Sequence, residues 1–281
     1  MAPESYKYKL FNLTIETDFK FHGLEISEGK TDIHIKENSN LEYENKNKKL
    51  QKLSLSESRI ENKKFITTTT KNLCQYKFFD TYNSYNQQLK ILHQALPSAL
   101  FQRRYFVLHG SAFLFNGEAV VITGPSGYGK SETLDVLSKR FKIITDDIVG
   151  ISVKGSSVKV LPGIPITAIS HGNKELFLND KRSRYFKAYR NINISTSSRP
   201  LSKIIILDWG DNYSFNKIDL KTAFSKIMGN TFRTLPSNKC KESEKVYLMN
   251  YINVLKKTKQ YIFSRKRGDI NDSINFLLKN L

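Results

Sequence analysis

The eight residues Gly124-Pro-Ser-Gly-Tyr-Gly-Lys-Ser131 constrain this chain more than any other stretch. They fit the spacing G-x-x-x-x-G-K-[ST], in which each fixed position has a physical task. Gly124 and Gly129 permit backbone conformations that a Cβ forbids, so successive N–H groups, through Ser126, Gly127 and Tyr128, can turn inward around phosphate oxygens. Lys130 can reach the terminal phosphates, and Ser131 offers a hydroxyl to a magnesium ion. A helix opening at this point aims the positive end of its dipole at the same anion. Such a pattern also arises by chance, so the flanks decide. Ala119-Val-Val-Ile-Thr123 is a β-branched apolar run, and Ser131 to Phe141 carries Leu134, Val136 and Leu137 on a helical period. Strand, glycine-rich turn, helix is the order a phosphate cradle needs. A glycine-rich surface turn is the competing reading.

The flanking sequence adds carboxylates and a histidine. Phe106 to Phe115 reads as a strand, Asn116-Gly117 as a hairpin turn, and Ala119 to Thr123 as the partner strand that enters the loop. Lys142 to Val149 reads as a further strand carrying Asp146 and Asp147. A single helix returning to an adjacent parallel strand puts both carboxylates beside the phosphate site. Phosphoryl transfer asks for a phosphate cradle, a metal and a group that handles the nucleophile's proton. One aspartate can serve the ion and the other the hydroxyl, since a free aspartate with a pKa near ~3.9 is ionised at neutral pH. The bland alternative is an acidic, solvent-exposed strand end. His109 is followed by Gly110 and Ser111, as though the backbone approaches something closely, and is expected beside the aspartates rather than as a core residue.

The rest of the chain supplies a frame. Tyr6, Tyr8 and Leu10, then Phe19 and Phe21, then Ile33 and Ile35 alternate with polar residues, which predicts a small antiparallel β region before about residue 79. His22 and His34 lack partners at metal-ligand spacing. Leu89, Leu92, Leu96 and Leu100 have helical spacing, and Pro97 among them predicts a kink or two short helices. Farther on, Pro162, Gly163 and Pro165 break the segment Val158 to Ile166, Asn173 to Tyr189 is polar and basic, and Lys203 to Trp209 reads as a buried strand. Helices are expected over Ile218 to Met228 and Val246 to Leu255, then a strand over Gln260 to Ser264. The chain closes on a helix capped by Asp269, with Ile270, Ile274, Leu277 and Leu278 on one face. This divides the chain into a β-rich region, residues 1–86, and a larger domain, residues 87–281.

Composition narrows the class. A hydrophobic content of 39% with 14 Tyr and 18 Phe suits a folded globular protein. No run approaches the roughly 18 apolar residues of a membrane span. Charges at the N-terminus stand where a signal peptide is apolar, so the chain reads as cytoplasmic, with no membrane partner. Cys74 and Cys240 are far apart without metal spacing and are expected to be reduced. The net charge of +19 suits polyanions, yet no nucleic-acid module is visible and nucleic acid is not an expected partner. An acidic peptide or a nucleotide would be steered by the same field; a lysine-rich solvated surface is the alternative. No heptad run fixes an oligomeric state.

The run His109-Gly-Ser, then Gly124 to Glu132 as G-x-S-G-x-G-K-S-E, then Thr145-Asp-Asp-x-Val149, resembles the catalytic domain of the HPr kinase/phosphorylase family and its shorter relatives. Fainter likeness extends over Leu161 to Ile166, Pro200 to Trp209 and Asn230-Thr-Phe-Arg233. The resemblance implies an α/β fold, a P-loop kinase core of HPr-kinase type with a mixed sheet flanked by helices, preceded by the β-rich region. It also implies ATP and Mg²⁺, with the loop through Glu132 on the nucleotide, Lys130 on its phosphates and Ser131 with Asp147 at the metal. Asp146 would be the base toward a serine hydroxyl, with His109 beside it and Arg233 stabilising transferred charge; the order of the two aspartates is open. The chain departs from the long enzymes in Pro125, where they tend to carry Asp, in Phe141, where a glycine is usual, and in having only Ser170-His-Gly-Asn173 for their second glycine-rich signature. Short relatives are associated with serine phosphorylation of ribosomally made peptides, lasso peptides included. The expectation is therefore a serine kinase for a peptide, foremost a ribosomally made precursor of the lasso kind. A kinase for a carrier protein such as HPr or for a free small molecule, and a nucleotide-binding sensor without turnover, are the alternatives.

Overall fold

The computed structural model describes residues 4–21, 24–44, 50–79, 85–169, 185–188, 194–231, 241–268 and 270–281. The chain divides into two compact units, Met1–Tyr105 with Thr234–Leu248, and Phe106–Arg233 with Met249–Leu281. This division falls after Tyr105, whereas the composition of the sequence suggests a boundary at 86/87.

The first unit holds β1 (Tyr6–Leu10), β2 (Leu13–Thr17), β3 (Ile33–Glu37), β4 (Leu50–Leu53), β5 (Glu57–Glu61), β6 (Phe65–Thr70), β7 (Leu73–Phe78) and α1 (Tyr85–Gln102). The strands form one sheet in the order β1-β2-β3-β7-β6-β5-β4. Tyr8, Leu10, Ile33 and Ile35 point inward, as the alternation requires. The sheet is mixed rather than antiparallel, because β3 runs parallel to both β2 and β7. The reason lies in the connections: segments 18–32 and 38–72 are long enough for a crossover, whereas a tight turn forces antiparallel pairing. Phe19 and Phe21 lie outside the strands, buried edge-to-face at 4.8 Å. Helix α1 runs unbroken through Pro97. Ile91, Leu92, Ala95, Leu96, Ala99 and Leu100 bury one continuous stripe on both sides of the proline, and that burial outweighs a penalty of about 3 kcal/mol for an interior proline.

The second unit holds β8 (Phe106–Phe115), β9 (Glu118–Thr123), α2 (Lys130–Leu137), β10 (Ile143–Thr145), β11 (Ile148–Lys154), β12 (Ser157–Val160), β13 (Ile166–Ile169), β14 (Tyr185–Ala188), β15 (Arg199–Trp209), β16 (Ser214–Lys217) and α3 (Leu220–Met228). It ends with α4 (Lys241–Lys257), whose first turns belong to the other unit, β17 (Lys259–Arg265) and α5 (Ile270–Asn280). The β8–β9 hairpin turns at Asn116 and Gly117, both with positive φ, the geometry that matches strand twist. Strands β9, β15 and β17 run parallel, with Ile206 level with Thr123 and Trp209 level with Arg265. Strands β8, β11, β12, β15 and β9 pair in turn and close a ring.

The segment bearing the two aspartates differs from expectation. It is not a parallel neighbour of β9, because β9 already has β8 on one side and β15 on the other. Its two pieces, β10 and β11, pair antiparallel with β8, and Asp146-Asp147 is the break between them. Helix α2 stops at Leu137, short of Phe141. Leu134 and Leu137 of α2 and Ile274 and Leu277 of α5 bury against Val120, Ile122, Ile205, Leu207 and Phe263. Phe141 stacks obliquely on Phe113 and Phe115, at 5.7 and 5.6 Å, so its ring anchors the turn after α2. Asp269 lies outside the described residues. Among the described residues no helix is long and apolar enough to cross a membrane. The protein is thus α/β with mixed sheets and a β-rich N-terminal region.

Candidate active site

Beyond Thr123 the chain turns through Gly124, Gly127 and Gly129 at φ of 145°, 84° and 73°. These are values that side chains with a Cβ rarely adopt. The three glycines have different surroundings. A Cβ at Gly124 would sit 2.9 Å from the Leu207 carbonyl of β15, and one at Gly129 would strike the Arg265 guanidinium, whereas one at Gly127 meets nothing within 4 Å. The loop is therefore pressed against the sheet at both ends and open at its tip, where Pro125, Ser126 and Gly127 are exposed. Gly129 is the N-cap of α2 and contributes no side-chain bond. The first N–H groups of the helix, at Lys130, Ser131 and Glu132, thus have no side-chain cap and suit an anion.

Lys130 folds back under the loop. Its Nζ donates to the carbonyls of Gly124 at 2.8 Å and Pro125 at 3.1 Å, and the residue is only 8% exposed. Burial pushes its ammonium below the ordinary lysine range, while Asp147 and then Asp146 pull it back. Both aspartates therefore stand within electrostatic reach of the lysine.

The two carboxylates occupy different environments. Asp146 is buried, its Oδ1 accepting from the Ser111 hydroxyl at 2.5 Å and its N–H donating to the Ile164 carbonyl at 2.9 Å. Asp147, at φ 64°, turns the other way: its side chain is 33% exposed and its Oδ1 lies 3.0 Å from His109 Nδ1. His109 is the one partly exposed position within the buried run of β8 from Phe106 to Phe113. Its neighbours explain themselves too. A Cβ on Gly110 would come within 2.5 Å of the Ile122 carbonyl, and Ser111 holds Asp146. The His109 N–H donates to the Asn230 carbonyl at 3.0 Å, which brings the start of the Asn230-Thr231 segment to β8, while Arg233 lies outside the described residues.

Lys130, Asp146, Asp147 and His109 thus come together, by antiparallel pairing with β8 rather than through the parallel neighbour that the spacing suggests, with Ser131 on the adjoining helical turn. Sequence reasoning did not find Arg265. This buried arginine donates from Nη1 to Thr133 Oγ1 at 3.0 Å and from Nη2 to the Tyr128 carbonyl at 2.6 Å, clasping the loop to α2. Burial pushes its pKa down and Glu132 opposes that shift. The only cue to it was a basic residue at the end of a strand whose neighbour in space is distant in sequence.

A glycine turn between strand and helix, a buried lysine beneath it and two adjacent carboxylates stand in an α/β protein at the carboxyl edge of parallel strands, an arrangement that suits an anion. Its relatives are narrower. The chain is 28% identical over 153 residues to an HPr kinase/phosphorylase of Prosthecochloris aestuarii, covering 54% of this chain and 43% of that protein. It is 26% identical over 157 residues to one of Chlorobium phaeobacteroides, covering 54% and 46%, and 28% identical over 182 residues to one of Pelodictyon phaeoclathratiforme, covering 61% and 52%. The chain spans about half the length of the curated relatives it matches, and over that stretch its sequence is similar to theirs. No protein-family model matches it. The Hpr(Ser) kinase/phosphatase structure from Coxiella burnetii aligns with a TM-score of 0.35 and 11% identity, over 62% of this chain and 94% of that one.

Proposed function

We propose that this protein is a kinase that uses ATP and Mg²⁺ to phosphorylate a serine hydroxyl on a ribosomally made peptide, of the lasso precursor kind, in the cytoplasm. The observation that carries this reading is the meeting of Lys130, under an open glycine loop, with the Asp147–His109 pair. The donors suit the groups required. Ser131 and a carboxylate are hard oxygen ligands for Mg²⁺, and the uncapped start of α2 with open space at Gly127 suits a polyphosphate. Magnesium-bound ATP supplies the phosphoryl group and the charge neutralisation that its transfer needs.

The chain's own residues then divide the work. Backbone N–H groups of Gly124, Ser126, Gly127, Tyr128 and Gly129 would hold phosphate oxygens. Lys130, whose Nζ now donates to the Gly124 and Pro125 carbonyls, would turn to them. The resemblance gives the base role to Asp146 and the metal to Asp147, with Ser131. The environments favour the exchange of those two roles. Asp146 is buried and held by Ser111, which suits a fixed carboxylate beside the metal; Asp147 faces outward with His109 against it, which suits a group that must meet an incoming hydroxyl. The curated relatives' names favour a second reading, a carrier-protein acceptor.

Asp147→Asn should lower transfer by about 100-fold or more with nucleotide affinity nearly unchanged, the usual scale for losing a general base. Asp146→Asn should instead raise the Mg²⁺ concentration required. Rates measured against a serine peptide, a small carrier protein and free hydroxy compounds, each titrated with Mg²⁺, test both the roles and the acceptor. The opposite pattern in the two variants restores Asp146 as the base.

A further inference from the structure

Trp209, the last residue of β15, stands at the same sheet edge as the glycine loop. Register places it three residues beyond Ile206, which is level with Thr123 at the loop's root, so its backbone projects about 10 Å past that point. Its ring gathers groups from the ends of all three parallel strands. Tyr128 of the loop lies 5.8 Å away at an interplanar angle of 34°. The Arg265 guanidinium, from the end of β17, is 4.8 Å over the ring, and that of Arg267, two residues farther, is 5.7 Å over it.

These contacts have different characters. Arg265 is buried and committed to Tyr128 and Thr133, so it fixes the ring to the loop. Arg267 is exposed, and Trp209 and Tyr128 are only partly buried. An exposed guanidinium over an indole at the carboxyl edge of parallel strands offers π-faces and charge against which a flat heteroaromatic ring can stack. We propose that Trp209, with Arg267 and Tyr128, is the nucleobase subsite of the nucleotide whose phosphates the loop takes, and that it prefers purines. The inference rests on the phosphate-binding reading of the loop. It adds what a phosphate loop alone leaves unread, because the loop grips phosphates whatever base they carry. The preference follows from area: a two-ring base covers more of the platform than a one-ring base.

Trp209 is the single tryptophan of the chain, so its fluorescence reports this subsite directly. ATP and GTP should alter the emission, whereas inorganic tripolyphosphate should bind in competition with ATP and leave it nearly unchanged. By calorimetry Trp209→Ala should weaken ATP binding about ten-fold or more, the scale of losing one stacked base. It should leave tripolyphosphate binding within about two-fold, since it removes no phosphate contact, and Trp209→Phe should recover most of the loss. Equal fluorescence changes with ATP and tripolyphosphate, equal affinity for ATP and UTP, or an unaltered ATP affinity in Trp209→Ala would each overturn the subsite while leaving the loop in place. If neither ATP nor tripolyphosphate binds, or if Lys130→Ala leaves both affinities intact, the phosphate-binding reading itself falls and the subsite with it.

Discussion

Lys130, to which we assign the phosphates, is a residue that opposes stability. Its ammonium is held where burial disfavours charge, and Asp147 and Asp146 compensate only in part, since the pKa stays lowered. Removing the charge should therefore stabilise the fold while abolishing phosphate binding, so Lys130→Met should melt at a higher temperature than the wild type at pH 7. The sign with pH follows from linkage. Below the depressed folded pKa the lysine is charged in both states and the penalty is fully present. Between that value and the ordinary lysine pKa near ~10.4 the unfolded chain binds the extra proton, so wild-type stability rises and the gap to Lys130→Met narrows. Paired melts from pH 7 to 10.5 check this; a lower melting temperature for Lys130→Met throughout would contradict it. At this scale the sequence was readable where chemistry is local. The glycines, Lys130 and the aspartates announce themselves by spacing, and His109 by the Gly110-Ser111 that follow. Arg265 did not, because its partners Tyr128 and Thr133 lie far from it in the chain.

Among elements, β15 is the one that the loop depends on. It pairs with β9 on one side and β17 on the other, and its Leu207 backbone sets the close approach at Gly124. Ile205, fully buried in the core between α2 and α5, should cost about 2–5 kcal/mol when cut to alanine, read by denaturant unfolding. A loss under about 1 kcal/mol would mean that the core closes around the gap. The existence of these elements was legible from periodicity: β8 and the strand ending at Trp209 fall where the apolar runs do. Their neighbours were not, since pairing is decided between distant segments. The aspartate segment was expected beside β9, a place the hairpin partner β8 and β15 already fill, and it lies antiparallel to β8 instead. In the N-terminal region, alternation revealed the inward faces of β1 and β3 but said nothing of the long connections that make β3 parallel to its neighbours.

For the molecule as a whole, the division into units is not a simple cut of the chain. The stretch Thr234–Leu248 counts with the first 105 residues, and there Tyr247 packs on Phe101 with ring centroids 6.0 Å apart. A fragment beginning at Phe106 would uncover Tyr247, so it should melt at a lower temperature than the full chain; an equal melting temperature would mean that this part folds by itself. The net charge of +19 belongs to this scale as well, since it favours encounter with acidic acceptors and predicts that peptide phosphorylation slows as salt rises. The proposed activity requires the loop and the aspartates to act together in phosphoryl transfer. Its most direct test is mass spectrometry of a serine-bearing precursor peptide after incubation with the protein, ATP and Mg²⁺, in parallel with Lys130→Ala. One phosphoryl group on a serine with the wild type and none with the variant is the predicted result; bound nucleotide with no phosphoserine on any peptide or carrier protein would contradict it.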